Sequence, residues 1–180
     1  MLFQCDLALS MEIFNYDYCS SLNSEDCRDQ ELPLIKNRAK GGTMTLWKKH
    51  LDQYITPCNF ISSIFLPIVF SFPGFCTSIL ISIYLPTAGQ DIQFLEELLK
   101  LGDCISDLTE KHPDAVLFIR GDANVNANDR NRCEAFSKFC EDYNLLKFEF
   151  DHPSYHHFTG AGKSDSQLDV LLRSPIDGAS

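Results

Sequence analysis

A chain of 180 residues, 44% hydrophobic, is long enough to bury one core and short for two. Its 25 acids against 15 bases give a formal charge of -10, which repels nucleic acid unless metal ions or a local basic patch offset it. Composition therefore excludes a simple basic DNA-binding module. The eight cysteines, Cys5, Cys19, Cys27, Cys58, Cys76, Cys104, Cys133 and Cys140, show no CxxC and no Cys/His cluster of zinc spacing, and read as reduced, mostly buried thiols. The opening MLFQCDLALSMEIF has no basic segment and carries Asp6, so no signal peptide is expected and an intracellular place, nuclear or cytoplasmic, is.

Residues 1–180 are expected to form a single domain, with 1–39 lacking any sustained period and 40–173 forming the readable core. KGG is a turn signal, and TMTLWKKHL after it has strand composition, with Thr43, Thr45 and Trp47 on one face. Residues 60–84 carry no charge, which raises the prospect of a membrane span. Pro67 and the Pro73-Gly74 pair interrupt that run, and its β-branched residues alternate with serines. Two buried strands around a Pro-Gly turn are expected instead, without stable membrane association.

After the loop LPTAGQD, Ile92, Leu95, Leu98, Leu99, Ile105 and Leu108 recur at helical spacing with acids opposite, and Gly102 is a weak point. Pro113-Asp114 stops that helix, and AVLFIRG is a strand whose end delivers Asp122. A second helix is expected from about Asn128 through Leu145, with Cys133, Phe136, Phe139, Cys140 and Tyr143 as its buried stripe. LKFEF reads as a strand, DHPSYHHFTGAGKSDS as a loop and QLDVLLRS as a final strand. Strands and helices alternate irregularly, which points to an α+β fold with helices covering a two-sheet sandwich rather than a Rossmann sheet.

Three stretches carry chemistry. In GDAN, Asp122 and Asn124 lie two apart on what would be extended backbone and so point the same way, although both are also ordinary turn residues. In ISIYLPTAG, Tyr84 ends an apolar strand, where a rim tyrosine with a wet hydroxyl needs no further explanation. In SDSQLDVLL, Asp169 lies inside an apolar strand, and a carboxylate buried there demands a hydrogen-bonding partner.

Taken in order, KGGTMTLW, ISIYLPTAGQD, FIRGDANVN, HPSYHHFTG and SDSQLDVLL resemble the endonuclease/exonuclease/phosphatase superfamily, and within it the endonuclease region of animal LINE-type non-LTR retrotransposons. The resemblance implies a DNase I-like four-layer α/β sandwich, here incomplete because matches to its first strands and its last strand are missing. It implies Mg²⁺-dependent hydrolysis of a phosphodiester, with DNA as substrate despite the acidic charge. By the same resemblance, Tyr84 contacts the scissile phosphate and Asp122 positions or deprotonates the attacking water. Asn124 and Ser154 hold phosphate oxygens, and Asp169 orients a catalytic histidine.

The family's metal-binding glutamate of "QE" and the His and Asp of its closing "SDH" find no match in this sequence. No metal ligand is therefore assigned, and negligible hydrolysis by this chain alone is expected. His152, His156 and His157 read as solvated loop residues. Ala123 stands where the family has a Phe, a loss worth about 2–5 kcal/mol if nothing refills the space. The rival readings are a non-catalytic remnant whose open sheet edge accepts a strand from a protein partner, and a protein anchored in a membrane by residues 60–84.

Overall fold

The computed structural model describes residues 43–58, 62–126, 128–148 and 168–175 in full, and the backbone of 16–21, 155–159 and 162–166. Strands β1 (Tyr16–Ser21) and β2 (Thr43–Lys48) form an antiparallel pair, and a 3₁₀ turn, Lys49–Tyr54, leads from it into β3 (Ile55–Pro57). Then come β4 (Phe65–Phe70), β5 (Ser78–Tyr84), helix α1 (Asp91–Lys111), β6 (Val116–Asp122) and helix α2 (Arg130–Asp142). The chain continues through β7 (Leu146–Lys147), β8 (Tyr155–Thr159), β9 (Gly162–Ser166) and β10 (Asp169–Arg173).

Six of these strands make one sheet in the order β3-β4-β5-β6-β10-β7. Only β5 and β6 run parallel, because α1 crosses over between them; the other neighbours are antiparallel. Residues 60–84 thus supply β4 and β5 as expected, joined around Pro73-Gly74, with Gly74 at φ 82. Among the described residues no helix is long and apolar enough to cross a membrane. Pro67 is tolerated inside β4 because its missing N–H faces Cys58, where the edge strand β3 has ended; its carbonyl still accepts from the Cys58 N–H at 3.1 Å.

Strand alternation sorts the sheet into two faces. Phe65, Val69, Ile79, Ile81, Ile83, Leu117, Ile119, Val170 and Leu172 form one, and α1 and α2 cover it with Phe94, Leu98, Leu101, Ile105, Leu108, Phe136 and Phe139. Burying these side chains supplies the main drive to fold, at roughly 25 cal/mol per Å² of apolar surface. On the other face β2 packs against β4 and β5: Trp47 is buried, and the Thr45 and Ser82 hydroxyls share a hydrogen bond of 2.9 Å. The β6 and β10 half of that face stays more open, with Arg120 exposed.

Several expectations need correction. Ile92, Leu95 and Leu99 are 78%, 50% and 73% exposed. The α1 sequence holds two apolar stripes, and the one containing Phe94, Leu98, Leu101, Cys104, Ile105 and Leu108 wins because it runs unbroken along the helix. Gly102 is no weak point: α1 continues through it, and it is where the Tyr143 ring of the segment after α2 approaches the helix, leaving no room for a Cβ. α2 starts at Arg130, where Asp129 caps it by accepting from the Arg132 N–H at 3.2 Å. In its stripe Phe136 and Phe139 are buried, whereas Cys133, Cys140 and Tyr143 are half-buried.

Residues 155–166, expected as loop, contain the β8–β9 hairpin pairing. The five cysteines with described side chains are free thiols, but only Cys104 is fully buried and Cys76 is exposed. Burial pushes the Cys104 thiol up to about 12 and that of Cys140 to about 11, so neither offers a thiolate for catalysis.

Candidate functional site

Three strands of the sheet meet at one level. Tyr84, the last residue of β5, is in register with Asp122, the last of β6, and Asp122 is in register with Asp169, the first of β10. The backbone locks this row: Leu85 N–H donates to the Asp122 carbonyl at 2.9 Å, Ala123 N–H to Leu168 at 2.9 Å and Tyr84 N–H to Ile64 at 2.7 Å. Gly121 is obligatory just below it, because its φ is 143 and an added Cβ would collide with the Ile83 carbonyl. Sequence reasoning picked out all three residues of the row.

The corner after β6 differs from the extended arrangement expected. Asn124 has φ 50, and its N–H turns back to donate to Asp122 Oδ1 at 2.8 Å. The two side chains are therefore held by an Asx-type turn, not by strand alternation. Asn124 Nδ2 donates to the Leu85 carbonyl at 2.7 Å, which ties the corner to the loop after Tyr84 and leaves the second amide hydrogen for another acceptor. Ala123, between them, is fully buried in the core.

Asp169 is exposed, not buried, because it is the first residue of β10 rather than an interior one. Its charge nevertheless reaches Asp122. Half-burial raises the Asp122 pKa above the ordinary carboxylate value, the Asn124 N–H opposes this, and the nearby Asp169 carboxylate adds to the rise. A carboxyl with a raised pKa is a better proton acceptor than an ordinary one once ionised.

Ser154 and His152 lie outside the described residues, and His156 and His157 belong to β8, of which only the backbone is described. Among the described residues no group of three His, Cys, Asp or Glu side chains could hold a metal ion. These residues do not by themselves build the Mg²⁺ site that the resemblance implies.

Sequence reasoning missed Arg132. It is 2% exposed and lies directly behind the corner. Nη1 donates to the Pro86 carbonyl at 2.7 Å and the Asn124 carbonyl at 3.2 Å, Nη2 to the Thr87 carbonyl at 2.8 Å, and Nε to Asp91 Oδ1 at 2.8 Å. Its guanidinium lies 4.5 Å from the Phe94 ring centroid. The available signal was positional: Arg132 shares the i, i+4, i+7 face of Phe136 and Phe139, a buried stripe where an arginine needs a reason.

Beside the row, a groove of about 370 Å³ runs between β2 and the sheet, lined by Met44, Leu46, Leu80, Ser82, Tyr84 and Arg120. Tyr84 thus borders both the carboxylate row and a groove with a cation along its wall.

No protein-family model matches the sequence, and no curated protein matches it. Solved structures do. The chain is similar to the endonuclease domain of TRAS1, a telomere-specific non-LTR retrotransposon, with TM-score 0.65 and 14% identity over 94% of this chain and 78% of that one. It is also similar to an endonuclease/exonuclease/phosphatase family protein from Bacteroides thetaiotaomicron, with TM-score 0.59 and 11% identity over 96% and 66%. A third likeness is to D. rerio TDP2, solved with a single-strand DNA product, with TM-score 0.52 and 10% identity over 97% and 68%. Identities this low speak for architecture alone, and the mixed six-stranded sheet under two helices agrees with them: the chain has the DNase I-like fold of the endonuclease/exonuclease/phosphatase proteins.

Proposed function

We propose that this chain is a nuclease-type phosphodiesterase domain that takes a DNA phosphodiester at the strand-end corner, with hydrolysis strongly reduced. The observation that carries the reading is the row Tyr84, Asp122, Asp169 on adjacent strand ends, with Asn124 turned back onto Asp122. In it, the Tyr84 hydroxyl and the second Asn124 amide hydrogen are donors for phosphate oxygens, and Asp122 orients an attacking water and accepts its proton. Asp169 raises the basicity of Asp122. Ser154 supplies a further hydroxyl to the phosphate.

The DNA-acting proteins among the structural relatives support the choice of substrate class. Mg²⁺, implied by the resemblance, would require ligands beyond the described residues, and no step is assigned to it. Among the described residues no histidine and no third carboxylate joins Asp122 and Asp169 at the corner, and removing members of a cooperating catalytic set lowers rates by orders of magnitude. Binding is the larger remaining capacity, and the net charge of -10 opposes it most at low ionic strength, where repulsion from DNA is least screened, so moderate salt with a divalent cation favours it.

The test pairs two assays. A short fluorescein-labelled single-stranded oligodeoxynucleotide should bind at moderate salt with Mg²⁺ and lose affinity with Asn124→Ala and Tyr84→Phe, while supercoiled plasmid with Mg²⁺ is nicked no faster than by Asp122→Ala. Absence of binding, or binding indifferent to both substitutions, sinks the reading. Rapid nicking abolished by Asp122→Ala would show instead that the site is catalytically whole.

A second reading, a non-catalytic module accepting a strand from a protein partner, is favoured by one observation: Met44 and Leu46 of β2 are 41% and 43% exposed beside the groove. On that reading every corner substitution would be silent with nucleic acid.

A further inference from the structure

We infer that Arg132 is a positioning residue for the corner, acting on Asn124 and on the loop after Tyr84 from behind the site; for its ligand this rests on the phosphodiester reading above. Two chain segments distant in sequence have to be held together there. One carries Tyr84 and continues through Leu85, Pro86 and Thr87; the other carries Asp122 and Asn124. Two side chains tie the loop after Tyr84 to that corner: Asn124 Nδ2 on the Leu85 carbonyl, and Arg132 Nη1, which reaches both the Pro86 and Asn124 carbonyls.

Arg132 adds Nη2 on Thr87, and Asp91 holds Nε at the start of α1. The planar fork thus fixes three carbonyls from two loops with one rigid group, which a lysine ammonium cannot match in direction or number. A buried guanidinium is costly to desolvate, and an apolar residue of similar size on the Phe136 and Phe139 stripe would serve packing at least as well. Placing the charge there therefore aims the carbonyls and, through the backbone, the Asn124 amide.

The expected loss is specific. Arg132→Lys weakens binding of the short oligodeoxynucleotide about tenfold, the scale of one misdirected hydrogen bond to a charged group. In the double variant Arg132→Lys/Asn124→Ala, the loss is smaller than the product of the two single losses, because the arginine acts in part through that side chain; losses that simply multiply would overturn the inference.

A second measurement needs no ligand. Hydrogen exchange at the Leu85 and Asn124 amides rises in Arg132→Lys, and also in Asp91→Ala, whose exposed side chain is removed without opening the core, while amides of the β4–β5 pairing keep their rates. Unchanged exchange at the corner, or a rise shared by the whole sheet, overturns it. Should the wild-type chain not bind the oligonucleotide, or should Asn124→Ala bind equally well, the phosphodiester reading fails, and the exchange pattern alone decides the role of Arg132. If Arg132→Lys does not fold, Asp91→Ala carries both measurements.

Discussion

Asp122 and Asp169 stand directly opposite each other on the antiparallel strands β6 and β10, two carboxylates brought side by side with Asp122 half-buried. Burial is the first cause of the raised Asp122 pKa, and the Asp169 charge a lesser one. The folded state consequently holds the Asp122 proton more tightly than the unfolded chain does. Stability at this group falls as pH rises from the ordinary carboxylate value through the raised one, and stays lower above it. Asp122→Asn keeps an oxygen for the Asn124 N–H and removes the charge, so it should raise Tm at pH 7 and lose that advantage below the carboxylate range. Melting curves of both chains across pH check the sign.

Asp169→Asn should bring the Asp122 titration down towards the ordinary value without restoring it fully, because burial persists. A carbon-detected NMR titration of the Asp122 carboxyl reads this directly. A return to the unperturbed value would make charge, not burial, the dominant cause.

Gly121→Ala should destabilise the chain by about 3 kcal/mol or more, since the positive φ and the collision with the Ile83 carbonyl act together. The damage should fall where β5 meets β6, beside the row, and denaturant unfolding with oligonucleotide binding measured in parallel would show both losses.

Gly102→Ala tests the approach of Tyr143 to α1. In an open helix the change gains about 1 kcal/mol. Here the new methyl meets the Tyr143 ring, itself packed 5.0 Å from Phe139 between centroids, so a net loss is expected. Adding Tyr143→Ala should recover part of it; additive losses in the double variant would mean that the two residues do not compete for that space.

The two stripes of α1 separate cleanly by mutation. Leu101→Ala should cost about 2–5 kcal/mol, as a fully buried leucine does, and Leu99→Ala should stay within about 0.5 kcal/mol. Chemical denaturation of both variants is sufficient.

Much of this arrangement was legible in the sequence where one local rule decides. The Pro73-Gly74 turn separated β4 from β5, and the run of Val, Leu, Phe and Ile ahead of Asp122 marked β6. What escaped were outcomes decided by tertiary context. The hydrophobic period on α1 fitted two faces, and the longer stripe, from Phe94 to Leu108, is the one packed on the sheet while Ile92 stays exposed. Asp169 was read as interior because a strand's first residue cannot be told from its second without knowing its partner, here Asp122. The role of Arg132 escaped, since the carbonyls it serves come from two loops far away in sequence. Asn124 gave no warning of its left-handed turn beyond being a residue type that tolerates one.

The parallel pairing of β5 with β6 has a consequence for detection. Tyr84 and Asp122 become neighbours only after the chain has passed through the whole of α1, so no short fragment can carry their arrangement. A ligand that requires both recognises the assembled sheet and not the unfolded chain. Its binding would raise the melting temperature with the logarithm of its concentration above Kd, which makes a thermal-shift screen of phosphate esters a direct readout of an intact corner.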